Sequence, residues 1–457
     1  MDYADFLRTK HIAPQMDGIK YSGELNPRLF DYQREVLDFL LRAGRGAAFL
    51  DTGLGKTLTQ LDWARIVNQT TNKPVLILTP LAVAAQTARE ADKFGIDAAV
   101  VRDQSGIKNR INITNYDRLE NFDLTEFAGV VLDESSILKN FTGKTRNALV
   151  NAFANTPYRL ACTATPSPND HTELGNHSEF LGVLNHGDML PRWFINDTMN
   201  TGDWRLKGHA IKPFWDWVAS WSRCVSRPSD LGYSDHGFEL PDLNIHRHVI
   251  EFESQAETQG QLFASPELSA TGIHAVKRES VEARAQKVAE MVNGNDDSWL
   301  IWCDTDDEAD YLTRLIQDAV EVRGSHKPEQ KEERLLGFAD GKIRVLVTKP
   351  KIAGFGMNWQ HCANMAFVGL SYSYESFYQA VRRCWRFGQV RDVNAHLVMT
   401  HAEAAIWRNV SGKADSHDAM KAEMRAAMLR NAGVKVEQRK TYQPKTASNL
   451  PDWLRSA

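Results

Sequence analysis

Two blocks of short, nearly unbroken apolar runs, each run followed by an amphipathic stretch, constrain this chain more than any other feature of its sequence. Such runs, too short for core helices and alternating with helical periodicity, read as parallel strands buried on both faces and joined by crossover helices. The first block holds Ala47-Ala48-Phe49-Leu50, Val75-Leu76-Ile77-Leu78, Ala98-Ala99-Val100-Val101, Ile111-Asn112-Ile113, Val130-Val131-Leu132 and Arg159-Leu160-Ala161. The second holds Trp299-Leu300-Ile301-Trp302, Val345-Leu346-Val347 and Met365-Ala366-Phe367-Val368. The expected fold class is α/β with two parallel-sheet lobes, and 457 residues exceed what one ordinary core encloses.

Hydrophobic content of 42% and charged content of 25% exclude fibrous and largely disordered chains. The start, Met1-Asp2-Tyr3-Ala4-Asp5, is acidic where a secretory signal is basic, and no apolar run reaches membrane-spanning length. A cytoplasmic location away from membranes is therefore expected. Five cysteines without a C-x-x-C pair argue against a disulfide framework and a structural zinc site. His209, His246 and His248 have no companion metal ligands and read as surface or structural residues. A net charge of −4 supplies no global attraction to nucleic acid, so such binding needs a local basic surface.

Residues from about 170 to 285 lose the strand rhythm and carry Trp193, Trp204, Trp215, Trp217 and Trp221. The plainer reading is a helical insertion with its own core. The alternative, for Trp215, Trp217, Trp221 and Phe214, is a base-stacking or strand-separating element. Beyond residue 400 the chain reads as helical, with Ala402 to Val410 and then Ser416 as an N-cap before Met420, Met424 and Met428 on one face. Val434 to Asn449 is polar and basic; Lys435, Arg439, Lys440 and Lys445 suit a solvated tail or a DNA contact equally. The expected division is a first lobe over 1–170, a helical, Trp-rich insertion and linker over 171–285, a second lobe over 286–400, and a helical extension with a basic tail over 401–457. The insertion or the tail is also where an unidentified protein partner would dock.

Residues 51 to 57 read Asp-Thr-Gly-Leu-Gly-Lys-Thr, after a buried run and before a helical stretch. Gly53 and Gly55 permit a tight loop whose amides face a phosphate, the helix N-terminus adds partial positive charge, Lys56 neutralises phosphate oxygens and Thr57 can ligate magnesium. Leu50 stands where the strict G-x-x-x-x-G-K-T pattern has glycine. Asp133 and Glu134 follow a strand run, at the end where open α/β sheets bind ligands. Alone, such a pair is a solvated turn more often than a catalytic dyad. With the lysine loop upstream, one carboxylate suits magnesium and the other an attacking water.

In Gln379-Ala380-Val381-Arg382-Arg383-Cys384-Trp385-Arg386-Phe387-Gly388-Gln389, Arg383 and Arg386 are three apart and share a face if helical. They suit a phosphate whose charge is spreading, and Arg382 reads as solvated. Gly354 to Asn358 forms a turn able to approach a phosphate or sense a nucleotide.

In chain order these segments resemble the superfamily-two helicase-like ATPases, most closely their Swi/Snf-type branch in a compact bacterial or phage form, from about residue 28 to 410. Leu29-Phe30-Asp31-Tyr32-Gln33 looks like the family's L-x-x-Y-Q element, Asp51 to Thr57 its D-x-G-x-G-K-T loop, Asp133 to Asn140 its D-E-x-H-x-x-K-N box and Thr163 to Asn169 its T-G-T-P-x-x-N segment. Gln379 to Gln389 matches Q-A-x-x-R-x-x-R-x-G-Q. The resemblance implies two RecA-like lobes around ATP and Mg2+. Gln33, Gly53, Gly55, Lys56, Thr57 and Gly356 would bind the nucleotide, Thr57 and Asp133 the metal, and Lys56, Asp133, Glu134, Arg383 and Arg386 would act in catalysis. Thr79, Asn115, Thr163, Asn169, Ser325 and Asn358 would contact nucleic acid, most simply double-stranded DNA along which the motor translocates. Strand separation on DNA or RNA, or a binding switch set by ATP, are the alternatives. The tryptophan usual before Glu90 is replaced near Thr87, and Ser136 stands where the family usually has histidine, a substitution that bears on the coupling of hydrolysis to movement and not on ATP binding.

Overall fold

The computed structural model describes residues 16–80, 83–196, 204–252, 270–353, 357–401 and 403–432. The first lobe contains β1 (Arg45–Leu50), β2 (Val75–Thr79), β3 (Ala98–Val100), β4 (Ile111–Asn115), β5 (Gly129–Asp133), β6 (Tyr158–Cys162), the small antiparallel pair β7 (Phe194–Asn196) and β8 (Trp204–Leu206), and β9 (Ser222–Val225). Its main sheet has the order β3-β4-β2-β5-β6-β1-β9 with every pairing parallel.

Successive side chains of a strand point to opposite faces, and helices cover both. Leu76, Leu78, Val130, Leu132, Ala47 and Phe49 enter one core cluster, while Val75, Ile77, Val131, Ala48 and Leu50 enter another across the sheet. That two-sided burial is why these runs show no polar alternation. Val100, on the edge strand β3, is 46% exposed.

The second lobe repeats the plan with β10 (Leu243–Ile250), β11 (Trp299–Trp302), β12 (Ala319–Val322), β13 (Val345–Thr348), β14 (Asn364–Phe367) and β15 (Val393–Thr400), in the parallel order β10-β15-β14-β11-β13-β12. Leu300 and Trp302 face one core and Trp299 and Ile301 the other. The α/β class with two parallel-sheet lobes is thus realised.

The tryptophan-rich stretch differs from the expected helical insertion. Helix Ile211–Trp221 runs directly into β9, which pairs in parallel with β1. Phe214, Trp215, Trp217 and Trp221 consequently pack with Phe49, Leu76 and Val130 in the first lobe's core. Trp217 lies 4.4 Å from Trp193 and 5.5 Å from Trp221, ring centre to ring centre. Trp215, Trp217 and Trp221 are buried, which removes the base-stacking reading for them in this conformation. Leu243–Ile250 goes to the other lobe as β10 against β15.

The last described element is one helix, Ala404–Ala432. Ser416 is therefore no N-cap; it lies inside the helix, and its hydroxyl donates to the Gly412 carbonyl at 2.9 Å. Ile406 and Val410 pack in the second lobe's core, whereas Met420, Met424 and Met428 pack in the first lobe's. The helix straps the lobes together. Among the described residues no helix is long and apolar enough to cross a membrane. Gly354–Gly356, with the nucleotide contact expected of Gly356, and the basic tail lie outside the described residues.

Candidate nucleotide site

The carboxyl end of β1 delivers Leu50 into the loop that starts helix Lys56–Thr71. Gly53 and Gly55 take left-handed φ values of 95° and 72°, which favour glycine. Close approach adds a second reason. A Cβ on Gly55 would collide with Gln33 Nε2, and one on Gly53 would stand 2.9 Å from Phe387 Cβ of the second lobe. Gln33 Nε2 and the Tyr32 hydroxyl both donate to the Leu54 carbonyl, at 2.9 and 3.0 Å, and Gln33 Oε1 accepts from the Phe30 amide at 2.9 Å. The Nε2 end of the Gln33 amide thus braces the loop, while its Oε1 end caps helix Asp31–Ala43 at Phe30. Lys56 Nζ donates to the Leu50 carbonyl at 2.8 Å.

Asp133 ends β5, and Glu134 follows with φ 61° and ψ 57°, a left-handed backbone that is rare and strained for a residue with a side chain. Glu134 Oε1 accepts from Thr163 Oγ1 at 2.5 Å and, more weakly, from Ser136 Oγ at 3.4 Å. Thr163 sits just past β6, the strand beside β5, so sheet order brings these two sequence segments together. Burial, then the Glu134 charge, pushes the Asp133 carboxyl up to about 7 against the pull of Lys56. Burial also raises Glu134, again opposed by Lys56, and lowers Lys56, opposed by Glu134 and Asp133.

The second lobe supplies cations. Helix Tyr374–Val381 ends before the arginines, which lie in the turn that continues it. Arg383 donates to the Gln379 carbonyl at 3.0 Å, Gln379 Oε1 at 3.1 Å and the Met357 carbonyl at 3.1 Å; Arg386 donates to the Met357 carbonyl at 3.4 Å. Among the described residues these partners are all neutral oxygens. Burial lowers Arg383 to about 9, with Arg386 adding repulsion, and lowers Arg386 to about 10. Arg382 is not the solvated residue expected. It is buried, stacks 4.3 Å over Trp385 and reaches Asp51 at 3.6 Å, because the turn aims it at the first lobe.

These groups line one cavity of about 200 Å³. Gly53, Gly55, Lys56, Thr57, Asp133 and Glu134 face it from the first lobe, and Asn358, Gln379, Arg383 and Arg386 from the second. Gln86, Thr87 and Glu90 contribute a further wall. The donor set fits a triphosphate with a divalent cation. The guanidiniums of buried Arg383 and half-buried Arg386, hydrogen-bonded among the described residues only to neutral oxygens, would meet the anion together with an ammonium and a helix N-terminus, and a carboxylate held up at about 7 would be relieved by a metal beside Thr57.

The residues expected on the nucleic-acid track differ in burial. Thr79, Asn115 and Thr163 are buried at strand ends, whereas Asn169, Ser325 and Asn358 are not buried. Thr79 Oγ1 donates to the Pro80 carbonyl at 3.1 Å. Asn169 bonds Glu173 at 2.8 Å and accepts from Lys413 at 3.1 Å, and Asn358 joins the nucleotide cavity instead. Sequence reasoning missed the ties that hold the lobes together: Lys139 with Glu375, and Asp51 with Tyr378, Arg382 and Lys421. Motif spacing carries no signal for Lys421, which lies 370 positions from Asp51.

Residues 32–207 match the model of the SNF2-related domain, and residues 283–388 match that of the helicase conserved C-terminal domain. No curated protein matches the chain. The first matched stretch contains Lys56, Asp133 and Glu134; the second contains Asn358, Arg383 and Arg386.

Proposed function

The chain belongs to the Snf2-type branch of the superfamily-two helicase-like ATPases, and from that premise we propose that it hydrolyses ATP, stimulated by nucleic acid, to translocate along double-stranded DNA. One observation carries the reading. A single cavity has its glycine loop, lysine and carboxylates on one lobe and, on the other, buried Arg383 and half-buried Arg386, whose hydrogen-bond partners among the described residues are neutral oxygens, so a competent site exists only when the lobes close.

Bound Mg2+-ATP supplies a phosphoanhydride bond whose cleavage releases the lobes from that closed arrangement. Lys56 and the loop amides would hold phosphate oxygens, and Asp133 with Thr57 would hold the metal. Glu134, oriented by Thr163, positions the attacking water and takes its proton. Arg383 and Arg386 neutralise charge spreading onto the phosphate oxygens, a contribution worth about 10³ or more in rate for arginines of this kind. Lobe opening after hydrolysis then shifts one lobe along the backbone. In this reading Asn169 and Ser325 contact the duplex directly, Thr79, Asn115 and Thr163 act at strand ends, and Asn358 acts from the turn that lines the nucleotide cavity.

The test compares phosphate release with duplex DNA, single-stranded DNA and RNA, alongside triplex displacement for translocation and labelled-strand displacement for unwinding. The expected result is stimulation by duplex DNA, triplex displacement without strand separation, and loss of turnover in Lys56→Ala. Turnover indifferent to nucleic acid would sink the reading. Strand displacement would make the chain an unwinding helicase, and ATP-responsive DNA binding without phosphate release would make it a binding switch.

A further inference from the structure

Asp51 opens the phosphate loop yet does not line the nucleotide cavity. Its amide donates to the Val225 carbonyl at 3.0 Å and its own carbonyl accepts from Leu54 at 3.2 Å, so its backbone is shared between β9 and the loop. Its buried carboxylate accepts from the Tyr378 hydroxyl at 3.2 Å, lies 3.6 Å from Arg382 and is paired with Lys421. Lys421, itself buried, sits beside Met420 where the C-terminal helix crosses from the second lobe's core to the first's. Neither matched domain contains it, since the second ends at residue 388.

A buried carboxylate that loses one cation seeks another. Besides Arg382, already beside Asp51, Lys56 is a candidate by position: its half-buried ammonium donates to the carbonyl of Leu50, the residue before Asp51, and feels the Asp51 charge after those of Glu134 and Asp133. An Asp51 side chain turned toward Lys56 would compete with phosphate for that ammonium.

We propose that Lys421 is a positioning residue of the nucleotide site: by holding the Asp51 carboxylate it leaves Lys56 available to phosphate, and so makes nucleotide binding depend on a docked C-terminal helix. The inference rests on the ATPase reading above. It extends the site to a helix beyond both matched domains and makes that helix a sensor of the phosphate loop.

The experiment uses the full chain and measures affinity for a fluorescent ADP and the KM and kcat for Mg2+-ATP, with thermal unfolding in parallel. Lys421→Met, close in volume, is expected to weaken nucleotide binding and raise KM on the order of 10- to 100-fold. Lys421→Arg retains most of the affinity. Adding Asp51→Asn to Lys421→Met recovers affinity, because the competing carboxylate is gone; a merely structural role of Lys421 predicts no such recovery. Wild-type affinity in Lys421→Met, a loss that only follows the folded fraction, or a double variant no better than Lys421→Met would each overturn the assignment. A wild-type chain that binds no nucleotide overturns the ATPase reading and this inference together, which separates the two failures.

Discussion

Thr163 donates a 2.5 Å hydrogen bond to Glu134, a residue whose backbone is held in the left-handed region at φ 61°. The strained backbone aims the carboxylate and the threonine stops it from turning away. Hydrogen bonds to charged groups contribute about 1.5–3 kcal/mol, so Thr163→Val is expected to lower kcat roughly 10- to 100-fold. ATP affinity should stay within about threefold, because the bond orients water rather than phosphate. Single-turnover hydrolysis with separate binding titrations checks this, and a pure KM effect would refute the role.

The arginines of the second lobe separate function from support. Burial disfavours the charge of Arg383, whose hydrogen-bond partners among the described residues are all neutral, so Arg383→Met should leave the unfolding midpoint unchanged or raise it while cutting turnover about 10³-fold. Arg284 is the contrasting case. It is fully buried, 2.7 Å from Glu308 and 3.7 Å from Glu403, and Arg284→Met strands two carboxylates at a cost of about 3–5 kcal/mol. Urea unfolding of both variants would reverse the assignment if Arg383→Met were the less stable one.

The carboxylate pair sets a pH dependence. Asp133 moves from 3.8 to about 7 on folding, so the folded chain holds this proton more tightly than the unfolded chain. Its contribution to stability is full below 3.8 and is lost as pH rises through about 7. Without ligand, the wild type should therefore lose more stability between pH about 5 and 8 than Asp133→Asn does. Mg2+-nucleotide binding should show the opposite trend, tightening with pH and releasing a proton, because the metal needs the ionised carboxylate. Titration calorimetry in buffers of different ionisation enthalpy measures that proton directly.

Two glycines with similar backbones predict different outcomes. Gly55 at φ 72° abuts Gln33, whereas a methyl group added to Gly95, at φ 70°, would meet nothing within 4 Å. Gly95→Ala should cost only the conformational strain, about 1–2 kcal/mol, and leave ATP turnover intact. Gly55→Ala should add displacement of Gln33 and abolish nucleotide binding. Equal binding by the two variants would show that the loop tolerates the intrusion.

Much of the fold was legible because its signals are local. Val75 to Leu78 and Trp299 to Trp302 read as strands since neither face of a parallel sheet reaches water. Ser222–Val225 was illegible as a strand because its burial comes from lying beside β1, and the tryptophans preceding it suggest a separate core for the same reason. Arg382 looks solvated in sequence because adjacent basic and aromatic side chains give no hint of the direction the turn takes.

The sequence alone determined the glycine-lysine loop before its helix, the carboxylates at the end of β5 and the two-lobed plan, all of which follow from residue type and spacing within a few positions. Only the tertiary structure decided that Arg383 and Arg386 face Glu134 across one cavity, that Thr163 orients that glutamate, and that Lys421 holds Asp51 from a helix near the other end of the chain. The physical reason is range. Periodicity and loop stereochemistry act between neighbours in sequence, whereas desolvation and charge pairing act between neighbours in space, and folding alone brings Asp51 and Lys421 together.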